Sequence, residues 1–302
     1  MKKVLIIACA VISFVMLLFW GSLCSCAQSV HNNQVIDSLI NITRLNDKTL
    51  MIGLAADAVT AIATQKGIVI IDAGISGTLT SHYRVIIEKE LNRNDFVYVI
   101  NSHGHHDHTS GNSAFSKATI IAHENALKDM HDRWSDTVKV KARLKNTVKQ
   151  YDVMLKGLTQ GSSDWKEAFC QRTRYNCAYE DAVNNVEVRY PDMLFTDTLH
   201  TSMGDVNLYM IYFGKAHSES DIIVYIPEMK MFFVGDLFFK GGRPSFDTLD
   251  KQQVDNYHKA IEWIAVRSSE SDIVINGHGQ IMDKGDMDSF IEIVRKKIAE
   301  LY

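Results

Sequence analysis

Proline is scarce, with only 3 in 302 residues, so stiff proline-rich linkers between domains are excluded. No internal repeat or low-complexity tract is present, which excludes solenoids and arrays. A net positive charge is also missing: the formal charge is −4, so no global field favours nucleic acid. Cysteine is sparse beyond the N-terminus, where only Cys170 and Cys177 occur. They are either a disulfide, as an oxidising compartment permits, or two free thiols on one helix face too far apart to bridge. Neither has metal-ligand spacing. Against these absences stand 46% hydrophobic and 23% charged residues, ordinary for a globular chain, and 12 histidines. Four of those histidines fall between His103 and His108.

The one long apolar run is N-terminal. Lys2 and Lys3 precede Val4–Trp20, broken only by Ser13, and Leu23-Cys24-Ser25-Cys26-Ala27 follows. Positive charge, apolar core and small residues make an export signal, residues 1–26. The segment Leu23–Cys26 resembles a lipobox with Cys26 as the lipidated residue. Cleavage after Ala27, or retention as an uncleaved anchor, are the competing readings. All three place the body outside the cytoplasm, in the periplasm or cell envelope, with residues 27–40 as a polar tether.

From there, short apolar runs predict strands at Leu50–Leu54, Val59–Ala63, Ile68–Ile71, Phe96–Ile100, Ala118–Ala122, Met193–Phe195, Val206–Phe213, Asp221–Ile226, Met231–Val234 and Ile273–Ile275. Helical periodicity predicts helices over 79–91, 252–266 and from 286. Residues 124–160 also read as helical, within an insertion at about 125–190 that separates two strand-rich halves. Strands then a helix, repeated in two halves, predict an α/β sandwich with sheets inside and helices outside, over residues 41–302.

The chemistry concentrates in Ser102-His103-Gly104-His105-His106-Asp107-His108, directly after the strand Phe96–Ile100. The i, i+2, i+4, i+5 spacing does not suit one helix face, but a loop leaving a strand end can curl so that these side chains converge. Neutral imidazole and carboxylate are ligands for zinc, and four candidates on one loop exceed what a single closed site needs. His217, Asp236 and His278 each follow a short apolar run beside a glycine or small residue, where a rigid sheet can present them to one focus.

This order of residues resembles the metallo-beta-lactamase superfamily, a family of metal-dependent hydrolases. Its His-x-His-x-Asp-His motif corresponds to His103, His105, Asp107 and His108, and its later histidine, bridging aspartate and last histidine to His217, Asp236 and His278. Val69–Gly74 resembles the family's early strand and turn, which makes Asp72 a carboxylate supporting the metal loop, and the likeness extends over about residues 45–280. The resemblance implies a four-layer αβ/βα sandwich and two Zn²⁺ ions, with iron or manganese as alternatives. It implies one ion on His103, His105 and His217, the other on Asp107, His108 and His278, and Asp236 between them. A metal-activated hydroxide would then cleave an ester, lactone, thioester or amide-type bond in a small molecule, with Asp107 orienting the nucleophile or passing a proton to the leaving group.

Asp236 stands where many dedicated beta-lactamases have cysteine or no ligand, so the chain looks closer to the lactonase and glyoxalase-type branches. A true beta-lactamase is the alternative, and a non-catalytic zinc-binding lipoprotein the second. With 24 residues after His278, a glutathione-binding helical domain is not expected. Because no arginine cluster accompanies the ligands in sequence, phosphodiesters and sulfate esters are disfavoured as substrates. Ser102, Ser110 and Asn276 depart from the family's usual threonine, glycine and proline without removing a ligand. His106, His123, His82, His258, His31, His131 and His200 are expected to pack or face solvent. Trp134, Tyr151, Trp165 and Tyr175 are expected to pack the insertion's helices, with a lid over the site as the alternative.

Overall fold

A computed structural model of the chain describes residues 33–240, 249–269 and 272–301. Residues 33–39 form a helix, α1, at the end of the stretch expected to be a tether; the signal segment with Cys26 lies outside the described residues.

The body, residues 41–302, is built on two sheets. The first runs β1 (Asn41–Asn46), β2 (Thr49–Gly53), β3 (Val59–Thr64), β4 (Gly67–Ile71), β5 (Phe96–Ile100), β6 (Thr119–His123) and β7 (Met193–Phe195), in that spatial order. β1 to β4 pair antiparallel, and β4 to β7 pair parallel. The second carries β8 (Thr198–Ser202), β9 (Asn207–Tyr212), β10 (Ile222–Ile226), β11 (Met231–Phe233), β12 (Ile273–Ile275) and β13 (Ile281–Met282), ordered 13-12-11-10-9-8. Only β11 and β12 are parallel there.

The inner faces of the sheets meet in a shared core. Val69, Ile71, Ile100 and Ile121 of the first pack with Leu208, Met210, Val224, Phe233 and Ile275 of the second. Helices cover both outer faces. On the first sheet lies α2 (Gly77–Leu91), burying Leu79, Tyr83 and Ile87; on the second lie α7 (Lys251–Ala265) and α8 (Lys284–Leu301), burying Val254, Ile261, Phe290 and Val294 against Phe232. β4 is buried along its whole length, as a strand covered on both faces must be, and this is why it reads as an unbroken apolar run.

The insertion holds three helices: α4 (Glu124–Trp134), α5 (Thr137–Gly157) and α6 (Ser163–Val183). What read as one helical stretch breaks at Asp136, whose side chain accepts from the Lys139 N–H and caps α5. α5 and α6 pack on each other, and α6 also packs on α2. Cys170 and Cys177 both lie on α6 as free thiols. Seven residues of helix separate their Cα atoms by roughly 10 Å, beyond disulfide reach. Tyr151 stacks on Tyr175 and Trp165 on Phe169, so these aromatics pack the helices. Among the described residues no helix is long and apolar enough to cross a membrane.

Candidate metal centre

Parallel register delivers the site. Ile71 pairs with Ile100 and Ile100 with Ile121, so β4, β5 and β6 end on one edge and release Asp72, the histidine loop and His123 there. In the second sheet Phe233 pairs with Ile275, which places Asp236 and His278 together just past the strand ends. His217 lies on the loop joining β9 to β10. The Ile222 N–H donates to the Ser102 carbonyl at 2.9 Å, tying that connection to the histidine loop. Asp107 and His108 fall in a single-turn helix, α3 (His106–Thr109).

All seven expected ligand side chains meet in one focus, in two groups: His103, His105, His217 and Asp236 in one, and Asp107, His108 and His278 in the other. Within each group one ligand atom per residue lies within 4.8 Å of the others. Asp236 sits between the groups. Its Oδ2 is 3.6 Å from His217 Nε2 and 3.1 Å from His278 Nε2, and its Oδ1 is 3.5 Å from His108 Nε2. Gly277 makes this approach possible, because a Cβ there would fall 2.6 Å from His108 Cε1 and 2.7 Å from Asp236 Oδ1.

The donor set fits a metal by its orphaned atoms. His103 Nε2, His108 Nε2 and Asp236 Oδ1 are buried without a hydrogen-bond partner. Each such group costs about 1–3 kcal/mol unless something is bound to it. The rings are oriented for that role through their other nitrogen. His108 Nδ1 lies 3.0 Å from Asp72 Oδ2, His278 Nδ1 lies 2.6 Å from the Ala56 carbonyl, and His103 Nδ1 lies 3.1 Å from Ser102 Oγ. Donation from Nδ1 leaves the Nε2 lone pair pointing inward. Asp72 holds the loop as well as the ring. In the left-handed region at φ 55°, it accepts from the Ser102 N–H at 2.7 Å and from Ser102 Oγ at 2.8 Å. Asn276, in place of the family's proline, makes its own turn: its Oδ1 accepts from the N–H groups of His278 and Gln280.

Burial, with smaller repulsion from His108, His105 and His217, drives His103 well below the ordinary histidine value; burial and the Arg133 charge bring His105 to about 3. Both are therefore neutral, the ligand form. Burial opposes the charges of Asp107 and Asp236, but His108 with other cationic neighbours outweighs it and holds both carboxyls below their usual range. For His108, burial opposes a proton, yet Asp236 and Asp72 outweigh burial and raise it well above the ordinary histidine value. The metal-free fold therefore keeps a proton on His108 at neutral pH. This contributes stability fully below the unfolded value of about 6.5, which is lost as pH rises through the raised folded value. A metal must displace that proton. Zinc binding at pH 7 is thus expected to release about one proton or more per chain, read from the dependence of calorimetric enthalpy on buffer ionisation. Binding with no proton release would contradict this arrangement.

Several residues at the centre have no sequence signature. Arg174, from α6 of the insertion and 2% exposed, lies 3.5 Å from both Asp107 Oδ2 and Asp57 Oδ1. Asp57 is fully buried on the far side of it and accepts from Tyr83 Oη at 3.0 Å and from the Ile75 N–H at 3.1 Å. Arg133 and Arg143 act on the same loop: the charges of both reach His106, together with that of Arg174. No arginine cluster stands beside the ligands in sequence, but in space Arg174 stands against Asp107. Arg133, Arg143 and Arg174 lie 25 or more residues beyond His108 in sequence, and α4, α5 and α6 carry them back. His106 packs beside Asp107 at 3.6 Å, with Nδ1 buried and unpartnered. His123 is structural, stacked on Tyr212 with Nε2 at 2.6 Å from the Thr196 carbonyl. His131 and His200 stack on Tyr190 and Tyr209, and His258 lies 3.4 Å from Glu262. His31 lies outside the described residues.

The model of the metallo-beta-lactamase superfamily matches residues 57–278. Two metallo-beta-lactamases type 2, from Bacillus sp. (strain 170) and Bacillus cereus, are 21% and 20% identical over 222 residues, covering 74% of this chain and 66% of each relative. The chain thus spans slightly less than two thirds of the relatives' length. Among solved structures, a metallo-beta-lactamase from Pontibacter korlensis superposes with a TM-score of 0.55 at 16% identity, over 85% of this chain and 99% of its own. An inverting sec-alkylsulfatase from Pseudomonas sp. gives 0.59 at 16% identity, over 86% of this chain and 42% of its own. At such identities these structures share the fold alone. By fold, by family match and by the order of its candidate ligands, the chain belongs to the metallo-beta-lactamase superfamily, a family of metal-dependent hydrolases.

Proposed function

We propose that the protein is a dinuclear zinc hydrolase that cleaves an ester, lactone, thioester or amide-type bond in a small molecule. The observation that carries this reading is Asp236, whose two oxygens face histidines of both ligand groups. A carboxylate so placed lessens repulsion between two cations. Two zinc ions, when bound, supply water activated at neutral pH and a Lewis acid for the substrate's carbonyl oxygen. Iron or manganese would suit the oxygen and imidazole donors as well. Asp107 is the more exposed of the two site carboxylates and is held ionised, so it is the group to take a proton and return it to the leaving atom. Arg174 fixes its Oδ2. A cavity of about 150 Å³ opens beside His278, between Asn41, Thr43, Met51 and Ala55, with room for a small acyl or ring portion.

A true beta-lactamase is the second reading, favoured by the names of the Bacillus relatives. Purified zinc-loaded protein should turn over at least one of an aryl ester, a lactone, a thioester and nitrocefin, and lose that turnover on chelation. Nitrocefin alone among them would select the beta-lactamase. Full activity after exhaustive chelation would overturn both readings, and no turnover of any would leave a zinc-binding protein without catalysis.

We further propose export through residues 1–26 with lipidation at Cys26. Cys26→Ala should shift the protein from the membrane to the soluble envelope fraction; an unchanged membrane fraction would overturn the lipid anchor.

A further inference from the structure

α5 is strongly basic in a chain that is net acidic. Over Thr137–Gly157 it carries six basic residues, Lys139, Lys141, Arg143, Lys145, Lys149 and Lys156, against the one acid Asp152, while the whole chain has a formal charge of −4. Its residues divide by face. Val140, Leu144 and Val148 are buried, and the helix packs on α6. On the opposite side Val138, Lys141, Lys145, Lys149, Val153 and Lys156 follow one another at steps of three or four residues, which lines them up along the helix. The stripe is roughly 27 Å long at about 1.5 Å per residue. Lys145, Lys149 and Lys156 are exposed, and Val138 and Val153 are 76% and 68% exposed. Asp152 is taken by Arg172 of α6, whose Nε lies 3.1 Å from its Oδ1. Lys141 Nζ donates to a neutral partner, Asn185 Oδ1, at 3.1 Å. Among the described residues Lys145, Lys149 and Lys156 make no ion pair or hydrogen bond. Lysines four apart on a helix repel each other, so Lys141, Lys145 and Lys149 weaken the helix that carries them. An anionic partner lying along the stripe reverses that repulsion. The two exposed valines, one near either end, select the kind of partner. They gain nothing from a soluble polyanion, but in a bilayer they leave water at the acyl boundary.

We propose that the exposed face of α5 docks on an anionic phospholipid surface, with its lysine ammonium groups on headgroup phosphates and Val138 and Val153 entering the acyl boundary. A basic helix with apolar side chains on its outer face lies in such an interface, and each lysine near the surface strengthens the attraction by about fivefold. The proposal is independent of the hydrolase reading and of lipidation at Cys26. Where the N-terminal apolar run Val4–Trp20 already holds the chain at a bilayer, docking becomes intramolecular and needs little affinity of its own. α5 reaches the first sheet through α6 and α2, while α7 covers the second. Docking therefore turns the insertion to the membrane and leaves α7 in solvent.

The test uses full-length protein reconstituted in vesicles of phosphatidylcholine alone or of equal parts phosphatidylcholine and phosphatidylglycerol. Lysine acetylation is followed residue by residue by mass spectrometry. On the anionic vesicles Lys145, Lys149 and Lys156 should react about fivefold more slowly or less than on the neutral ones, the factor that one lysine's attraction represents. Lys117 and Lys259, exposed elsewhere on the body, should react alike on both. Concentrated salt should remove the difference, because it screens the surface charge. In the triple variant Lys145→Gln, Lys149→Gln, Lys156→Gln the melting temperature should hold, since these side chains pack against nothing, and Lys141 should lose its protection on anionic vesicles. Equal rates on the two vesicles, or equal slowing of Lys117 and Lys259, would overturn the proposal. So would protection of Lys141 that survives the triple change. A DNA duplex added to the neutral vesicles should protect the stripe less than the anionic lipid does; equal protection would assign the stripe to polyanions at large and overturn the membrane reading.

Discussion

Asp236→Ala is expected to reduce bound zinc from near two to one or fewer per chain and to lower turnover by about a thousandfold or more, the order that several kcal/mol of metal-borne stabilisation represents. The reason is positional. Asp236 is 6% exposed, and its oxygens are shared among His217, His278 and His108. Among the described residues no other carboxylate spans both groups. Asp107 belongs to the second group, and Asp72 is occupied by Ser102 and His108. Removing Asp236 also removes the larger of the two charges that hold a proton on His108, so the proton release on zinc binding should shrink with the zinc content. Asp236→Asn separates shape from charge: it keeps the side chain's size, and if the anion is what matters it should lose metal nearly as badly as alanine. Two zinc ions retained in either variant would show that Asp236 is not shared.

Arg174→Met is expected to destabilise the fold by about 3–5 kcal/mol, because it strips a buried counter-ion from two carboxylates at once. Asp57 is fully buried, and burial already pushes its carboxyl up while Arg174 pulls it back down. Asp107 would lose the contact that fixes Oδ2. At roughly 2–4 °C per kcal/mol for a domain of this size, the melting temperature should drop by about 10 °C. Zinc should be lost first from the group of Asp107, His108 and His278. Arg174→Lys should recover little, since one ammonium cannot span both acids as the guanidinium does. Adding Asp57→Asn to Arg174→Met should cost less than the two separate changes summed, because the second removes the charge the first left unpaired. Chemical unfolding measures both effects. A change under about 1 kcal/mol would show that the triad of Asp57, Arg174 and Asp107 carries no such load.

Legibility in the sequence divided along physical lines. Buried strands were plain because covered faces leave an unbroken apolar run: Phe96–Ile100 and Ile273–Ile275 lie where the sequence placed them, as does Met193–Phe195, a short apolar run on a more exposed edge. β1 and β8 escaped because they are edge strands, largely exposed and without an apolar alternation. β13 has two residues, too few for any period. The histidine loop, His217, Asp236 and His278 were legible because each ligand follows a strand and carries its own chemical identity. Arg174, Asp57, Arg133 and Arg143 were not. Arginine on a helix is ordinary, and only the packing of α4 and α6 against the loop and α2 gives these their neighbours. A search beside the ligands in the chain does not find these charges, because they arrive on helices far along it.

The central claim is that seven side chains hold two metal ions sharing Asp236. Anomalous X-ray diffraction at the zinc edge from zinc-loaded crystals tests it most directly. Two peaks are expected roughly 3.5–4 Å apart, the separation of two-metal hydrolytic sites. One should lie among His103, His105 and His217 and the other among Asp107, His108 and His278, with the Asp236 carboxylate between them. A single peak at full zinc saturation, or peaks away from these residues, would contradict it.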